Sequence, residues 1–147
     1  VLRWKLPILI EADGAKRMPL KVPAEHEPVI LEQTGHVLSV YGLDAIGSTL
    51  ESSCFRVEKA EQILQKNRKE RITAYDIAAL ALSDKAGRKG CPPSAEYTVI
   101  LNKADCADRR KAAVAICEQL KDRGVKNIVV TSFKRNRKED GIREDID

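Results

Sequence analysis

An amide, an ammonium and a carboxylate follow one another at the end of a short apolar run. The run covers residues 96–101, Glu-Tyr-Thr-Val-Ile-Leu, and leads directly into Asn102-Lys103-Ala104-Asp105. The Asp105 carboxylate can accept two near-parallel hydrogen bonds from a ring N–H and an amino group, which guanine offers and adenine does not. Asn102 can bond another edge of the base, and the aliphatic stem of Lys103 can lie along its face. The spacing therefore predicts a guanine-binding loop.

A second polar cluster, Glu11-Ala12-Asp13-Gly14, follows the apolar residues Leu6 to Ile10. Carboxylate oxygens suit a hydrated Mg²⁺ that is bound together with a nucleotide phosphate. Glu11 and Asp13 are therefore the candidate catalytic residues, which would hold Mg²⁺ directly or through water, or position a water molecule. Gly14 would allow the backbone to approach a γ-phosphate. The alternative is that this segment only ends a strand and opens an Asp-Gly turn.

A third cluster, Thr131-Ser132, follows the apolar run at residues 127–130. In open α/β sheets, ligands bind outside the carboxyl ends of the strands, and all three clusters lie at such ends. The sequence therefore predicts that Ser132 shares one nucleotide site with the two earlier clusters.

Three cations, Lys16, Arg17 and Lys21, surround Met18-Pro19-Leu20 just beyond the second cluster. A conformationally restricted basic loop at this place would bind an anion or an acidic partner. A solvated surface loop is the alternative explanation for the same charges.

The elements that must position these clusters alternate between strands and helices. Apolar runs predict strands at about 6–12, 36–41, 97–101 and 127–131, and the 3.6-residue period predicts helices at about 55–66 and 107–123. Thr73 and Asp76 predict the start of a further helix, and Gly124 the end of the last one. Its candidate core positions are Val114, Ile116, Cys117 and Leu120. We therefore expect an α/β fold with three layers, a mostly parallel sheet and flanking helices.

Length and composition limit the function classes. The 147 residues fit one domain, assigned to residues 1–133, followed by a charged tail at 134–147 that is expected to be disordered. The net charge of +4 is interspersed and aromatic residues are few, which disfavours a nucleic-acid surface. No apolar run approaches about eighteen residues, so no membrane association is expected. Four widely spaced cysteines disfavour a zinc site and indicate a reducing cytoplasm.

The usual device for holding nucleotide phosphates is missing from the sequence. Neither Gly-x-x-x-x-Gly-Lys-Ser/Thr nor Gly-x-Gly-x-x-Gly occurs in it. Because residue 1 is Val and the chain enters an apolar run within a few residues, we expect that an N-terminal part is absent.

Residues 9–30, Leu-Ile-Glu-Ala-Asp-Gly-Ala-Lys-Arg-Met-Pro-Leu-Lys-Val-Pro-Ala-Glu-His-Glu-Pro-Val-Ile, closely resemble the YqeC family. Later segments of that family are similar to residues 42–47, Phe55-Arg56 and residues 101–105, in the same order, and the resemblance extends to about Ser132. It implies a P-loop NTPase-like fold whose first strand and phosphate loop are missing here, through truncation or as a shortened variant.

The resemblance also implies a function. Family members are accessory proteins of selenium-dependent molybdenum hydroxylases, and the segment Glu11–Gly14 matches their Walker B or switch position. Asn102–Asp105 matches the base-recognition position. The expected cofactors are GTP (or ATP) and Mg²⁺, and the expected partners are the nucleotide and a molybdenum hydroxylase or its cofactor. The chain as given is expected to hydrolyse little nucleotide, whereas a protein that includes the phosphate loop would be a GTPase or another NTPase.

Two alternatives remain open. In the first, the chain is a non-catalytic module whose basic loop, Lys16 to Lys21, docks an acidic partner or an anionic cofactor such as a molybdopterin phosphate. In the second, it is an enzyme that acts on another phosphorylated small molecule without preference for a base.

Overall fold

A parallel sheet of three strands organises the fold, and the computed structural model describes residues 7–133. The strands are β1 (Leu20–Lys21), β2 (His36–Gly42), β3 (Cys54–Phe55), β4 (Glu96–Asn102) and β5 (Asn127–Val130). The helices are α1 (Leu50–Ser53), α2 (Val57–Leu64), α3 (Ala74–Leu82) and α4 (Ala107–Asp122), and a 3₁₀ turn covers Leu43–Ala45.

The three long strands have the order β2-β4-β5, and both pairs are parallel. His36 lies opposite Glu96 and Gly42 opposite Asn102, while Thr98 lies opposite Asn127. Because parallel strands need crossover connections, α1 to α3 lie between β2 and β4 in the chain, and α4 lies between β4 and β5. The predicted mostly parallel α/β architecture is confirmed, and the carboxyl ends of all three strands share one edge.

Local sequence signals place the ends of two helices. The Thr73 side chain accepts a hydrogen bond from the Asp76 N–H, and the Asp76 carboxylate accepts from the Thr73 N–H, which completes a capping box at the start of α3. Gly124 follows the end of α4 with a φ of +82°, a left-handed conformation that glycine adopts without strain. Both predicted helix boundaries are confirmed.

The core lies on one face of the sheet. Val99 and Leu101 of β4 are fully buried, and so are Ile116 and Leu120 of α4. The prediction that Val114 belongs to the core is wrong, because its side chain is 59% exposed. Positions 113, 116 and 120 form the buried stripe of α4, and residue 114 lies to one side of it.

The opposite face of the sheet is only partly covered. Leu38 and Val40 of β2 are 47% and 57% exposed, and Val129 of β5 is 45% exposed. The predicted third layer is therefore not found among residues 7–133.

The first predicted strand is wrong for the residues that are described. Residues 7–12 form no strand, and Ile8, Leu9 and Ile10 are each at least half exposed. A strand needs a neighbour for its backbone hydrogen bonds, and the one bond found for this segment is donated by the Val29 N–H to the Ala12 carbonyl oxygen. Apolar composition alone does not supply such a neighbour.

Instead, a two-stranded parallel sheet joins β1 to β3, with Leu20 opposite Cys54. Strands of two residues are too short to produce a periodic pattern, and the sequence did not predict them.

None of the helices within residues 7–133 combines the length and apolar character needed to cross a membrane. The predicted charged tail, residues 134–147, lies outside the described part of the chain.

Candidate functional site

The loop after β4 is held by its own asparagine. The Asn102 Oδ1 atom accepts a hydrogen bond from the Thr131 hydroxyl at 2.9 Å and another from the Lys103 N–H at 2.8 Å. Backbone bonds reinforce this link, because the Ala104 N–H donates to the Thr131 carbonyl oxygen at 3.0 Å. With Oδ1 occupied, the amide Nδ2 of Asn102 is the atom left to donate to a ligand.

Asp105 lies beside the end of β5, as predicted for a shared site. Its Oδ1 atom accepts a hydrogen bond from the Ser132 hydroxyl at 2.8 Å, and Arg109 Nη1 lies 3.6 Å from Oδ2. The Asp105 side chain is only 11% exposed. A carboxylate has about four lone-pair positions. These two neighbours therefore orient Asp105 and leave it able to accept further hydrogen bonds.

Lys103 has a constrained backbone and a fixed side chain. Its φ of 66° lies in the left-handed region, which is costly for a residue with a side chain. Its ammonium donates to Asp44 Oδ2 at 2.6 Å, just beyond the end of β2. Asp44 Oδ1 is buried without a hydrogen-bond partner among the described residues. The ion pair therefore ties the loop after β4 to the neighbouring strand.

A network of four charged residues surrounds the second predicted cluster. The Lys21 ammonium lies 2.6 Å from Glu27 Oε2 and 3.1 Å from Asp13 Oδ2, and its side chain is 7% exposed. Arg56 makes a bidentate pair with Glu27, with distances of 2.9 and 3.1 Å. Lys21 is thus neutralised within the fold and does not offer its charge to a ligand, unlike the exposed residues Lys16 and Arg17.

Glu27 is expected to make stability sensitive to acid. The Lys21 ammonium, followed by the Arg56 guanidinium, lowers the pKa of Glu27 from 4.5 to about 2. A carboxyl group whose pKa is depressed by folding stabilises the folded state above the unfolded pKa, and this contribution disappears as the pH falls from about 4.5 towards 2. Urea unfolding of wild type and Glu27→Gln across this range should show a steeper loss of stability in wild type.

The control for that experiment is Glu32→Gln, which removes an exposed carboxyl group and should keep the wild-type pH dependence. An unchanged slope in Glu27→Gln would show that the network does not depend on the Glu27 charge.

The turn at residues 15–18 presents the two accessible cations of the basic loop. Lys16 and Arg17 have φ values of 50° and 63°, and the turn is closed by a bond from the Met18 N–H to the Ala15 carbonyl oxygen at 2.9 Å. Lys16 Nζ lies 4.7 Å from the centre of the Phe55 ring, and the Arg56 guanidinium lies 4.4 Å from the same ring. Cation–π contacts therefore hold Lys16 in place.

Two contacts connect the clusters along the edge of the sheet. The Gly42 N–H at the end of β2 donates to the Pro19 carbonyl oxygen at 2.9 Å, and Asp44 pairs with Lys103 of the neighbouring loop. The structure thus brings Asn102, Lys103, Asp105 and Ser132 together. Within residues 7–133, no hydrogen bond or ion pair links Glu11, Asp13 or Gly14 directly to that group.

The sequence reasoning missed three partners of the predicted residues. Asp44 was recognisable as an acidic residue just after the second predicted strand, at the same sheet edge as Lys103. Arg109 lies four residues after Asp105, in the first turn of α4, and this short spacing in the sequence was the available signal. Thr131 belongs to the third predicted cluster, but the sequence does not predict its bond to Asn102.

Burial makes the thiols of two of the four cysteines less acidic. Cys54 is buried, and this burial raises the pKa of its thiol to about 12. Burial also raises the pKa of Cys117 on α4. A thiolate is the nucleophilic form, so Cys54 stays protonated and unreactive at neutral pH.

Comparisons with known proteins relate the chain to one family. A family model described as "YqeC protein" matches residues 1–58. Over 122 residues, the chain is 27% identical to the protein of Escherichia coli (strain K12) named "Uncharacterized protein YqeC". That alignment covers 82% of this chain and 48% of the relative, so the chain spans about half the length of the curated relative it matches. No solved structure matches the chain.

Proposed function

We propose that the chain, whose residues 1–58 match the YqeC family model, binds a guanine nucleotide at the carboxyl ends of β4 and β5. One observation carries the proposal. Asn102 and Asp105 are both held at this edge by the residues that follow β5, Thr131 at 2.9 Å and Ser132 at 2.8 Å. A site that is organised before ligand arrives loses less entropy on binding.

The donors and acceptors of the site match the two edges of guanine. Asp105 accepts hydrogen bonds from the ring N–H and the amino group of the base, and the free Nδ2 of Asn102 donates to its O6 or N7 acceptor. The stem of Lys103, fixed at its end by Asp44, packs on the face of the base. Adenine offers a ring lone pair where guanine offers an N–H, so Asp105 would lose the two bonds from the base and face that lone pair, which is a basis for rejection.

The proposal assigns the phosphate side of the site to the turn at residues 15–18. Lys16 and Arg17 are the accessible cations, and their turn directly precedes Pro19, which contacts the end of β2. Mg²⁺ uses one or two carboxylates and retains several waters. Asp13 is already paired with Lys21, so Glu11 and Asp13 would hold a hydrated Mg²⁺ through water, and the ion would supply charge stabilisation at the phosphates.

The decisive experiment changes the hydrogen-bonding character of Asp105. Asp105→Asn should weaken GTP binding by about 10–100-fold, because the variant loses a charge-assisted acceptor for the guanine N–H groups. The same variant should gain affinity for xanthosine triphosphate, whose carbonyl group replaces the guanine amino group and accepts a bond from the new amide. Calorimetric titration of both proteins with GTP, ATP and xanthosine triphosphate measures these changes.

The matched control is Asp108→Asn, which makes the same substitution on an exposed residue three positions further along the chain. It should leave the order of nucleotide affinities unchanged. Equal affinity of wild type for GTP and ATP, or no binding of either, would remove the guanine proposal. GTP binding that survives Asp105→Asn but disappears in Lys16→Glu/Arg17→Glu would favour the non-catalytic basic-loop module instead.

The physiological role that we propose is that of an accessory protein in the maturation of a selenium-dependent molybdenum hydroxylase. In a protein that includes the phosphate loop, nucleotide turnover would control delivery of the cofactor. The resemblance of residues 9–30 to the family supports this role. Hydroxylase activity in a host that lacks the protein should be restored by wild type and not by Asp105→Asn. Full restoration by Asp105→Asn would show that the accessory role does not depend on nucleotide binding at Asp105.

A further inference from the structure

A pocket of about 430 Å³ lies between the segment after β1, helix α2 and the loop after α3. Three lysines, Lys59, Lys85 and Lys89, line it together with a single acidic residue, Asp84. Ile63 contributes apolar surface to the wall, whereas Val22, which also lines the pocket, is only 1% exposed. The pocket therefore combines an excess of positive charge with apolar surface, and none of its residues belongs to the nucleotide site proposed above.

One of the three lysines has a structural role. The Lys89 ammonium donates hydrogen bonds to the carbonyl oxygens of Ala24 and Glu25. These bonds fasten the segment after β1 to the loop after α3 and so help to close the pocket. The Lys89 ammonium also adds positive charge to the pocket wall, because hydrogen bonds to uncharged carbonyl oxygens do not neutralise it.

The other two lysines are not neutralised by the surrounding fold. Lys59 lies on α2, one turn before Ile63 on the same helical face, and Lys85 lies in the loop after α3. Among the ion pairs found within residues 7–133, none includes Lys59, Lys85 or Asp84. Like charges that face one cavity repel each other, and a bound anion would remove that repulsion.

We propose that this pocket binds a small phosphorylated molecule, with its phosphate between Lys59 and Lys85 and its apolar body against Ile63. Phosphate accepts strong charge-assisted hydrogen bonds from lysine ammonium groups. The volume lies within the range of sites that hold small molecules. The apolar wall explains why an organic phosphate fits better than the inorganic ion.

Calorimetric titration of the 147-residue chain with phenyl phosphate, inorganic phosphate and phenol tests the proposal. Phenyl phosphate should bind more tightly than inorganic phosphate, and phenol should not bind measurably. Lys59→Gln/Lys85→Gln should weaken phenyl phosphate binding by about tenfold or more, because two charged donors are lost. The matched control Lys69→Gln/Lys111→Gln removes two exposed lysines elsewhere and should change the affinity less than about twofold.

Equal weakening in both double variants would overturn the proposal, since net charge alone would then explain binding. Absence of binding by both phosphates, or equal affinity for the two, would also overturn it. Asp105→Asn should leave phenyl phosphate binding unchanged, so failure of the nucleotide proposal and failure of this one are distinguishable. Thermal unfolding of each variant confirms that it is folded.

Discussion

Asp76→Ala is expected to lower the free energy of unfolding by about 3–5 kcal/mol, the range for removing one partner of a buried ion pair. The Asp76 side chain is 5% exposed, and its Oδ2 atom lies 2.6 Å from the Lys66 ammonium. The same oxygen accepts hydrogen bonds from the Thr73 N–H at 2.7 Å and from the Thr73 hydroxyl at 2.8 Å. Alanine would leave Lys66, only 15% exposed, without a partner and would remove half of the capping box of α3.

Equilibrium unfolding in urea measures this loss. Asp76→Asn keeps an oxygen acceptor for Thr73 but not the negative charge, so it should lie between wild type and Asp76→Ala. The control is Asp122→Ala at the exposed end of α4, which should change the free energy of unfolding by less than about 0.5 kcal/mol. If Asp76→Ala were as stable as the control, the Lys66–Asp76 pair would contribute nothing to the fold.

The parts of the fold that the sequence predicted correctly depend on local interactions. The α3 capping box involves residues three apart, and the boundaries of α2, α4, β2, β4 and β5 follow from short periodic patterns and turn residues. The pairing of β1 with β3 was not predictable, because neither two-residue strand carries a pattern. The apolar run at residues 7–12 does not form a strand, because strand formation depends on a hydrogen-bonded neighbour that can lie far away in the sequence.

The same distinction applies to the candidate site. Parallel strands bring their carboxyl ends to one edge, so the proximity of Asp105 to Ser132 was predictable from the order of elements. The pairing of Lys103 with Asp44 joins residues 59 positions apart, and the choice of partner depends on side-chain geometry. Lys21 was predicted to bind an anion, yet it is paired with Asp13 and Glu27, because charge alone does not indicate burial.

The second large effect is expected at Gly87, where the structure leaves no room for a side chain. A Cβ atom at this position would lie 2.2 Å from the Tyr41 hydroxyl oxygen, 2.7 Å from the Tyr97 hydroxyl oxygen and 2.8 Å from the Ala81 carbonyl oxygen. The Tyr97 hydroxyl donates to that carbonyl at 2.7 Å in a buried bond, and Tyr41 accepts a bond from Ser39 at 2.9 Å. Gly87→Ala must therefore displace both tyrosines or the end of α3.

Displacement of these tyrosines would disturb packing and hydrogen bonding together. Overpacking typically costs about 1–3 kcal/mol, and an unpaired buried polar group adds to it, so Gly87→Ala should lower the free energy of unfolding by about 2–4 kcal/mol. Gly35→Ala is the matched control, because a Cβ atom there meets nothing within 4 Å. Thermal and urea unfolding of both variants compare the same chemical change in a filled and an open environment. Tyr41 and Tyr97 belong to β2 and β4, and the ends of these strands lead to Asp44 and Asn102. Gly87→Ala should therefore also weaken GTP binding. Unchanged stability in Gly87→Ala would show that the tyrosine pair can move without cost.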